Sequence, residues 1–175
     1  ILVNFPSTLA QEQFNFSITE IEIYDKGNKF RGLKRGTITT NNGISLDADQ
    51  FEYNKSLNIL KAAGNVILHD EINEIKIESD DIVYLRNDEI IFTNTESKAI
   101  SNDTIIKANS FNYNKKLNIL NAKGNAKVED LVKNYNIISD EITYFKNLEK
   151  FISKSKSEAF DENLTIKANE FEYNK

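Results

Sequence analysis

The chain of 175 residues contains no cysteine, no methionine, no tryptophan, one proline and one histidine. Without cysteine there is no disulfide and no thiolate metal site, and redox chemistry gives no clue to the compartment. The lone His69 lies beside Asp70 and Glu71, and the position one repeat later is Glu129. It reads as a surface residue at a strand end rather than a metal ligand. No apolar run is long enough for a membrane-spanning helix. No window sustains apolar residues at i, i+3, i+4 and i+7, so amphipathic helices are not expected. Concentrated positive charge is missing too. The net charge is −5, and the one basic cluster, Lys29, Arg31, Lys34 and Arg35, sits among Gly27, Gly32 and Gly36. That cluster reads as a solvated turn region, and a nucleic-acid surface is not expected. A phosphate loop, a nucleophile elbow and a carboxylate pair at catalytic spacing are all absent. The chain therefore reads as non-enzymatic, with no catalytic residue, metal or cofactor.

What is present is enough apolar material for a thin core. Hydrophobic residues make up 39% and charged residues 28% of the chain. The first ten residues, Ile1 to Ala10, read like the tail of a signal peptide, with Thr8 and Ala10 at −3 and −1 of a cut before Gln11. The expected organisation is a signal remnant over 1–10 and one repeat domain over 11–175, which breaks off inside a repeat at Asn174-Lys175.

Internal repetition dominates the rest. Ala48-Asp49-Gln50-Phe51-Glu52-Tyr53-Asn54-Lys55 returns as Ala108-Asn109-Ser110-Phe111-Asn112-Tyr113-Asn114-Lys115, and again from Ala168 to Lys175. Ser79-Asp80-Asp81-Ile82-Val83-Tyr84 returns as Ser139-Asp140-Glu141-Ile142-Thr143-Tyr144. The anchors Phe51, Ile82, Phe111, Ile142 and Phe171 are separated by 31, 29, 31 and 29 residues, so a unit of about 30 is doubled into a period of 60. Within each unit apolar residues alternate, as in half-buried strands. The phase slips by one after Ala48, Ser79, Ala108, Ser139 and Ala168, which predicts a bulge or corner at the following Asp or Asn. The next strand places Leu60, Ala62, Gly64, Val66 and Leu68 on one face. Mid-strand Ala and Gly there predict close approach of an opposing sheet or of a ligand. Polar turns at Asn54-Lys55-Ser56, Arg86-Asn87-Asp88, Asn114-Lys115-Lys116 and Lys146-Asn147 predict hairpins.

The pattern I-x-[AS]-[DN]-x-[FI]-x-Y followed by N-I-L-x-A-x-G-N-V is carried by Ile106 to Tyr113 with Asn118 to Ala126, and by Leu46 to Tyr53 with Asn58 to Val66. It resembles the OstA-like (LptA/LptD N-terminal) domain family of lipopolysaccharide-transport proteins. The stretches Phe14 to Ile23 and Gly32 to Thr40 are similar to the start of the periplasmic domain of its outer-membrane assembly members, LptD. The resemblance spans Phe14 to Lys175. It implies an all-β fold, an open β-jelly roll or elongated antiparallel sandwich. It also implies a scaffold in the periplasm, associated with the outer membrane, that passes lipopolysaccharide outward. Other jelly-roll components would join through edge strands, and an outer-membrane lipoprotein would be a partner if a barrel follows. On that reading acyl chains lie along Phe51, Leu60, Ala62, Val66, Ile82, Phe111, Leu120, Ala122, Val128 and Ile142. Many assembly members carry cysteines here and this chain has none, so the resemblance brings no disulfide with it. The competing reading is a non-catalytic structural or adhesive β-solenoid of the cell surface.

Overall fold

The computed structural model describes residues 14–175, so the signal-like segment lies outside the described residues. Sixteen strands follow one another: β1 (Phe14–Ser17), β2 (Ile21–Tyr24), β3 (Lys29–Gly32), β4 (Gly36–Thr40), β5 (Ile44–Ala48), β6 (Gln50–Asn54), β7 (Ile59–Asp70), β8 (Ile75–Leu85), β9 (Ile90–Phe92), β10 (Ser97–Ser101), β11 (Thr104–Ala108), β12 (Ser110–Asn114), β13 (Ile119–Asp130), β14 (Tyr135–Phe145), β15 (Lys150–Phe160) and β16 (Thr165–Asn174). They form one sheet in which every pair is antiparallel. Parallel coils, the signature of the solenoid reading, are therefore not how these strands pair.

The short strands are halves of long ones. The long strand β7 pairs through Asp47 and its neighbours with β5 at one end, and through Phe51 to Asn54 with β6 at the other. The long strand β13 does the same with β11 and β12. The described chain is thus eleven bent strands beginning at Phe14, Lys29, Ile44, Ile59, Ile75, Ile90, Thr104, Ile119, Tyr135, Lys150 and Thr165. The 30-residue unit is a hairpin of two such strands. Folding every strand at one line turns the sheet back on itself into two facing wings. The first wing holds β1, β4, β5, β10, β11 and the matching halves of the long strands; the second holds β2, β3, β6, β9, β12 and the other halves. Facing wings solve a simple problem: a sheet with one apolar side must bury it, and here it buries it against itself.

The corner is built where the alternation slips. Opposite Asp80 of β8, strand β7 has two residues, Gly64 and Asn65, so the register jumps between Ala63↔Asp81 and Val66↔Ser79. Opposite Asp140 the pair is Gly124 and Asn125. Opposite Asn169 it is Ser155 and Lys156. Two residues against one is a β-bulge, which bends the strand. The two-residue side is left-handed: φ is +78° at Gly64, +47° at Asn65, +74° at Gly124 and +50° at Asn125. Side chains then bind the bend. The Asp49 N–H donates to the Gly64 carbonyl at 3.0 Å, and its carboxylate accepts from Asn65 at 2.7 Å and Arg35 at 2.9 Å.

This changes the reading of Gly64. It is not an inward-facing small residue that leaves room on the apolar side. Its positive φ and the Asp49 carboxylate, 2.8 Å from where a Cβ would stand, are what demand glycine. Gly124 repeats the arrangement against Asn109. The basic cluster is also resolved into pairs rather than left as a free turn: Lys29 with Asp25, Lys34 with Glu20 and Arg35 with Asp49, while Arg31 lies over the Tyr24 ring. Lys29 and Arg31 belong to β3.

Candidate functional site

The two wings pack against each other along two continuous rows of side chains, one from each wing. Cross-strand partners in the second wing run Phe30, Tyr53, Leu60, Tyr84, Ile91, Tyr113, Leu120, Tyr144, Phe151 and Tyr173. In the first wing they run Phe16, Ile38, Leu46, Leu68, Ile77, Ala99, Ile106, Val128, Ile137, Ala159 and Ile166. One wall is rich in aromatic rings and the other is aliphatic. With strands ~4.8 Å apart, ten spacings make an apolar interior ~48 Å long.

All ten residues expected to face the interior are buried there, none more than 3% exposed. The register groups eight of them as two equivalent sets. Phe51, Ala62 and Ile82 stand side by side on neighbouring strands with Leu60 in the adjoining row; Phe111, Ala122 and Ile142 do so with Leu120. Val66 and Val128 belong to the first wing. The alanine therefore sits between two large side chains, and its size lets the facing wing approach. Sequence reasoning missed most of the aliphatic wall, including Ile77 and Ile137. The alternation Ile75-Lys76-Ile77 and its counterpart Tyr135-Asn136-Ile137 carry the signal that could have found them.

Opposite the corner, the mouth between the wings is closed by polar contacts. The tyrosines of the second wing reach the ends of first-wing strands. The Tyr113 hydroxyl donates to Asp70 at 2.8 Å and the Tyr173 hydroxyl to Asp130 at 3.1 Å. The Asn42 amide donates to the Tyr84 hydroxyl at 3.2 Å. Asp70 is the centre of the strongest contact. Its side chain is fully buried, Lys115 stands 3.6 Å away at 6% exposure, and Asn73 donates its side-chain amide at 2.8 Å and its backbone N–H at 3.2 Å. Asn73 also bonds the Tyr113 hydroxyl and the Lys115 carbonyl. At the next hairpin Arg86 donates to Asn41 at 2.9 Å. Beyond it Lys175 is bonded to Asp103 and, at 2.9 Å, to Thr104. Burial, reinforced by Asp70, pushes the Tyr113 phenol far above its ordinary value. Burial and the Asp130 hydrogen bond push Tyr173 up to about 12. These phenols stay protonated and donate.

On the outer face, His69 is exposed and directly opposite Lys76. No group of three or more His, Cys, Asp or Glu able to hold a metal ion occurs among the described residues. A shallow outer cleft of about 810 Å3 runs along the corner past Arg35, Asp49, Glu78, Asp80, Glu96, Lys98 and Lys107, with charges of both signs.

At β16 the interior is uncovered. Leu46 and Ile106 are 0% and 2% exposed, whereas their equivalent Ile166 is 44% exposed. Ala168 is exposed where Ala48 and Ala108 are buried. Strand β16 pairs only with β15, leaving a ten-residue edge.

No family model matches the chain, and no curated protein matches it. Among solved structures, the chain is similar to the crystal structure of LptH from Pseudomonas aeruginosa, described as the LptA homologous periplasmic component of the conserved lipopolysaccharide transport device. The identity is 13%, the TM-score 0.59, and the match covers 65% of this chain and 84% of that one. The fold is thus an LptA-like β-jelly roll.

Proposed function

We propose that the chain is a non-enzymatic scaffold of lipopolysaccharide transport, working in the periplasm at the outer membrane, that carries acyl chains between its wings. The observation that supports this most is the continuous apolar interior, ~48 Å long, shut at the mouth by side-chain contacts. Acyl chains need a long apolar wall with no buried polar backbone, and facing rows of a twisted sheet supply it. The contacts are the ten buried residues from Phe51 to Ile142, with the aliphatic wall of Ile77, Ile106 and Ile137 beside them.

Partner jelly rolls would join by laying a strand antiparallel along an edge strand of the sheet. Such a strand would extend both rows, so jelly-roll partners stacked through their edges would share one interior. Likeness to the assembly protein LptD rather than to the LptA type, and with it a lipoprotein partner and delivery to the outer membrane, rests on residues 14–40 alone.

A photoreactive residue at Leu60 or Leu120, activated in Gram-negative cells, should capture lipopolysaccharide. The same residue at exposed Lys61, on the outer face of β7, should not. Crosslinks from the interior positions to protein only would sink the reading.

A further inference from the structure

Seven of the twelve exposed large apolar side chains among the described residues lie in the turns along the mouth. Three of them, Leu57, Leu117 and Leu148, stand on the second-wing rim at 58%, 58% and 67% exposure. Leu57 and Leu117 have an exposed lysine beside them, Lys55 and Lys116, while Lys146 beside Leu148 is 13% exposed and stands 3.8 Å from Glu74. Lys55 and Lys116 are exposed and form no ion pair among the described residues. We propose that this rim docks on a bilayer surface bearing anionic phosphate headgroups.

Turn geometry does not account for these residues. In the first of the turns the Asn54 carboxamide accepts the Leu57 N–H at 3.1 Å, and Asn58 supplies the positive φ of +54°. In the second, Asn114 accepts the Leu117 N–H at 2.9 Å, and Asn118 has φ +57°. The asparagines make the turn, so leucine and lysine are free to be any polar residue. A protein of net charge −5 nevertheless places an exposed lysine and a leucine together at two turns of one rim. Leucine at a tip reaches the boundary of headgroups and acyl chains, and lysine beside it meets phosphate, which is the pairing of an interfacial anchor. The other two turns of this rim, Asp25 to Asn28 and Arg86 to Glu89, have no apolar tip, and the latter interrupts the row.

Charge decides which rim docks. The first-wing turns also expose aliphatic residues, but they carry Glu71, Glu74, Asp161 and Glu162, which an anionic surface repels. The second-wing turns hold Lys26, Lys55, Arg86, Lys115, Lys116 and Lys146 against Asp25, Asp88, Glu89 and Glu149, a balance of +2, whereas Asp103 and the lone Lys133 bring the first-wing turns to −4. Nothing in this requires the interior to hold lipid.

The test is flotation of the whole chain with vesicles of phosphatidylethanolamine and phosphatidylglycerol, against vesicles of phosphatidylcholine alone. The chain should float with the anionic vesicles and not with the neutral ones, less so as salt rises. The triple variant Leu57→Ser, Leu117→Ser, Leu148→Ser should lose at least roughly tenfold in partition. The double variant Lys55→Glu, Lys116→Glu should lose more, since each lysine near such a surface is worth roughly fivefold. The variant Ile72→Ser, Leu131→Ser, Leu164→Ser should float as the parent does. Because all these tips are exposed, unchanged circular dichroism and melting will verify that each variant is folded. Failure to float, equal flotation with neutral vesicles, or equal loss in the first-rim variant would each overturn the proposal. So would full retention by the lysine variant, which would mean a purely apolar contact.

Discussion

Replacing Asp70 by asparagine tests whether the mouth is held shut by charge. In the parent the carboxylate is fully buried and accepts three hydrogen bonds, from Tyr113 at 2.8 Å and from Asn73 at 2.8 and 3.2 Å. Lys115 supplies the positive charge at 3.6 Å, itself only 6% exposed. Asparagine keeps the shape but presents an NH2 to donors and leaves the buried ammonium without a counter-charge, a change that costs ~3–5 kcal/mol. Lys115→Met leaves the carboxylate its three donors, so it should cost only ~1–3 kcal/mol. The double variant has neither buried charge, and should therefore lose less than the sum of the two single losses, by ~1–3 kcal/mol of coupling. Urea unfolding followed by circular dichroism reads all four corners of this cycle. The exposed pair Lys123–Glu141, at 3.8 Å with 61% and 41% exposure, is the control. Breaking that pair should cost under ~1 kcal/mol. If Asp70→Asn costs no more than the control, or if the double loss equals the sum, the charge is not what holds the mouth.

Gly64→Ala should destabilise by ~1–3 kcal/mol, since alanine meets both φ +78° and the Asp49 carboxylate. Gly124→Ala should do the same, the two adding when combined because their corners share no partner. Absorbance at 295 nm during alkaline titration should show the raised phenols of Tyr84, Tyr113, Tyr144 and Tyr173 silent at their ordinary value near ~10 and appearing only with unfolding. A phenol raised in the fold contributes stability that is full below that ordinary value and is lost as pH climbs, for Tyr173 toward about 12. At the acid end, burial opposes but the hydrogen bonds of Asn94 and Thr95 outweigh it, so Asp81 is lowered overall. Its contribution is present above the ordinary carboxylate range and lost as pH falls through the lowered value, so Asp81→Asn should flatten the acid limb of stability against pH.

Much of this was legible because two signals in the sequence are geometric. Alternation named the inward residues, so Phe51, Leu60, Ile82 and their 60-residue equivalents were found buried. The slip at Asp80 and Asp140 marked the corner, because only a lost residue on one strand inverts its faces. The partner side of the bulge was hidden for the complementary reason. Strand β7 spends two residues, Gly64 and Asn65, at the bend, so Leu60, Ala62, Val66 and Leu68 keep one parity across it and the strand reads as straight. The mouth contacts could not be read at all. Tyr113 and Asp70 lie 43 residues apart on strands that are not neighbours, and only the facing of the two wings brings them together.

The alternation of 31 and 29 residues has its origin at the same mouth. In the first wing the hairpin after β7 pairs Asp70 with Ile75, leaving four residues in the turn. The hairpin after β10 pairs Ser101 with Thr104, leaving two. Four return after β13, between Asp130 and Tyr135, and two after β15, where the Asp161 N–H donates to the Leu164 carbonyl. The difference of two residues is the difference between 31 and 29. It also decides where the acidic contacts sit. The four-residue turns open on Asp70 and Asp130, whose carboxylates cap the turn N–H groups of Asn73, and of Val132 and Lys133, while still reaching Tyr113 and Tyr173. The two-residue turn after β10 opens on Ser101 rather than on an acid, and there Lys175 makes the charged contact by bonding Asp103 within the turn. The four-residue turns thus present a carboxylate to a tyrosine hydroxyl, while at the turns between them the clasp is built from other charged groups, Arg86 on Asn41, Asn42 on Glu89 and Lys175 on Asp103. A lipid chain prising the wings apart would meet less resistance at Tyr144, which has no carboxylate acceptor among the described residues, than at Tyr113, and a crosslinker placed at Tyr144 should report opening before one placed at Tyr113.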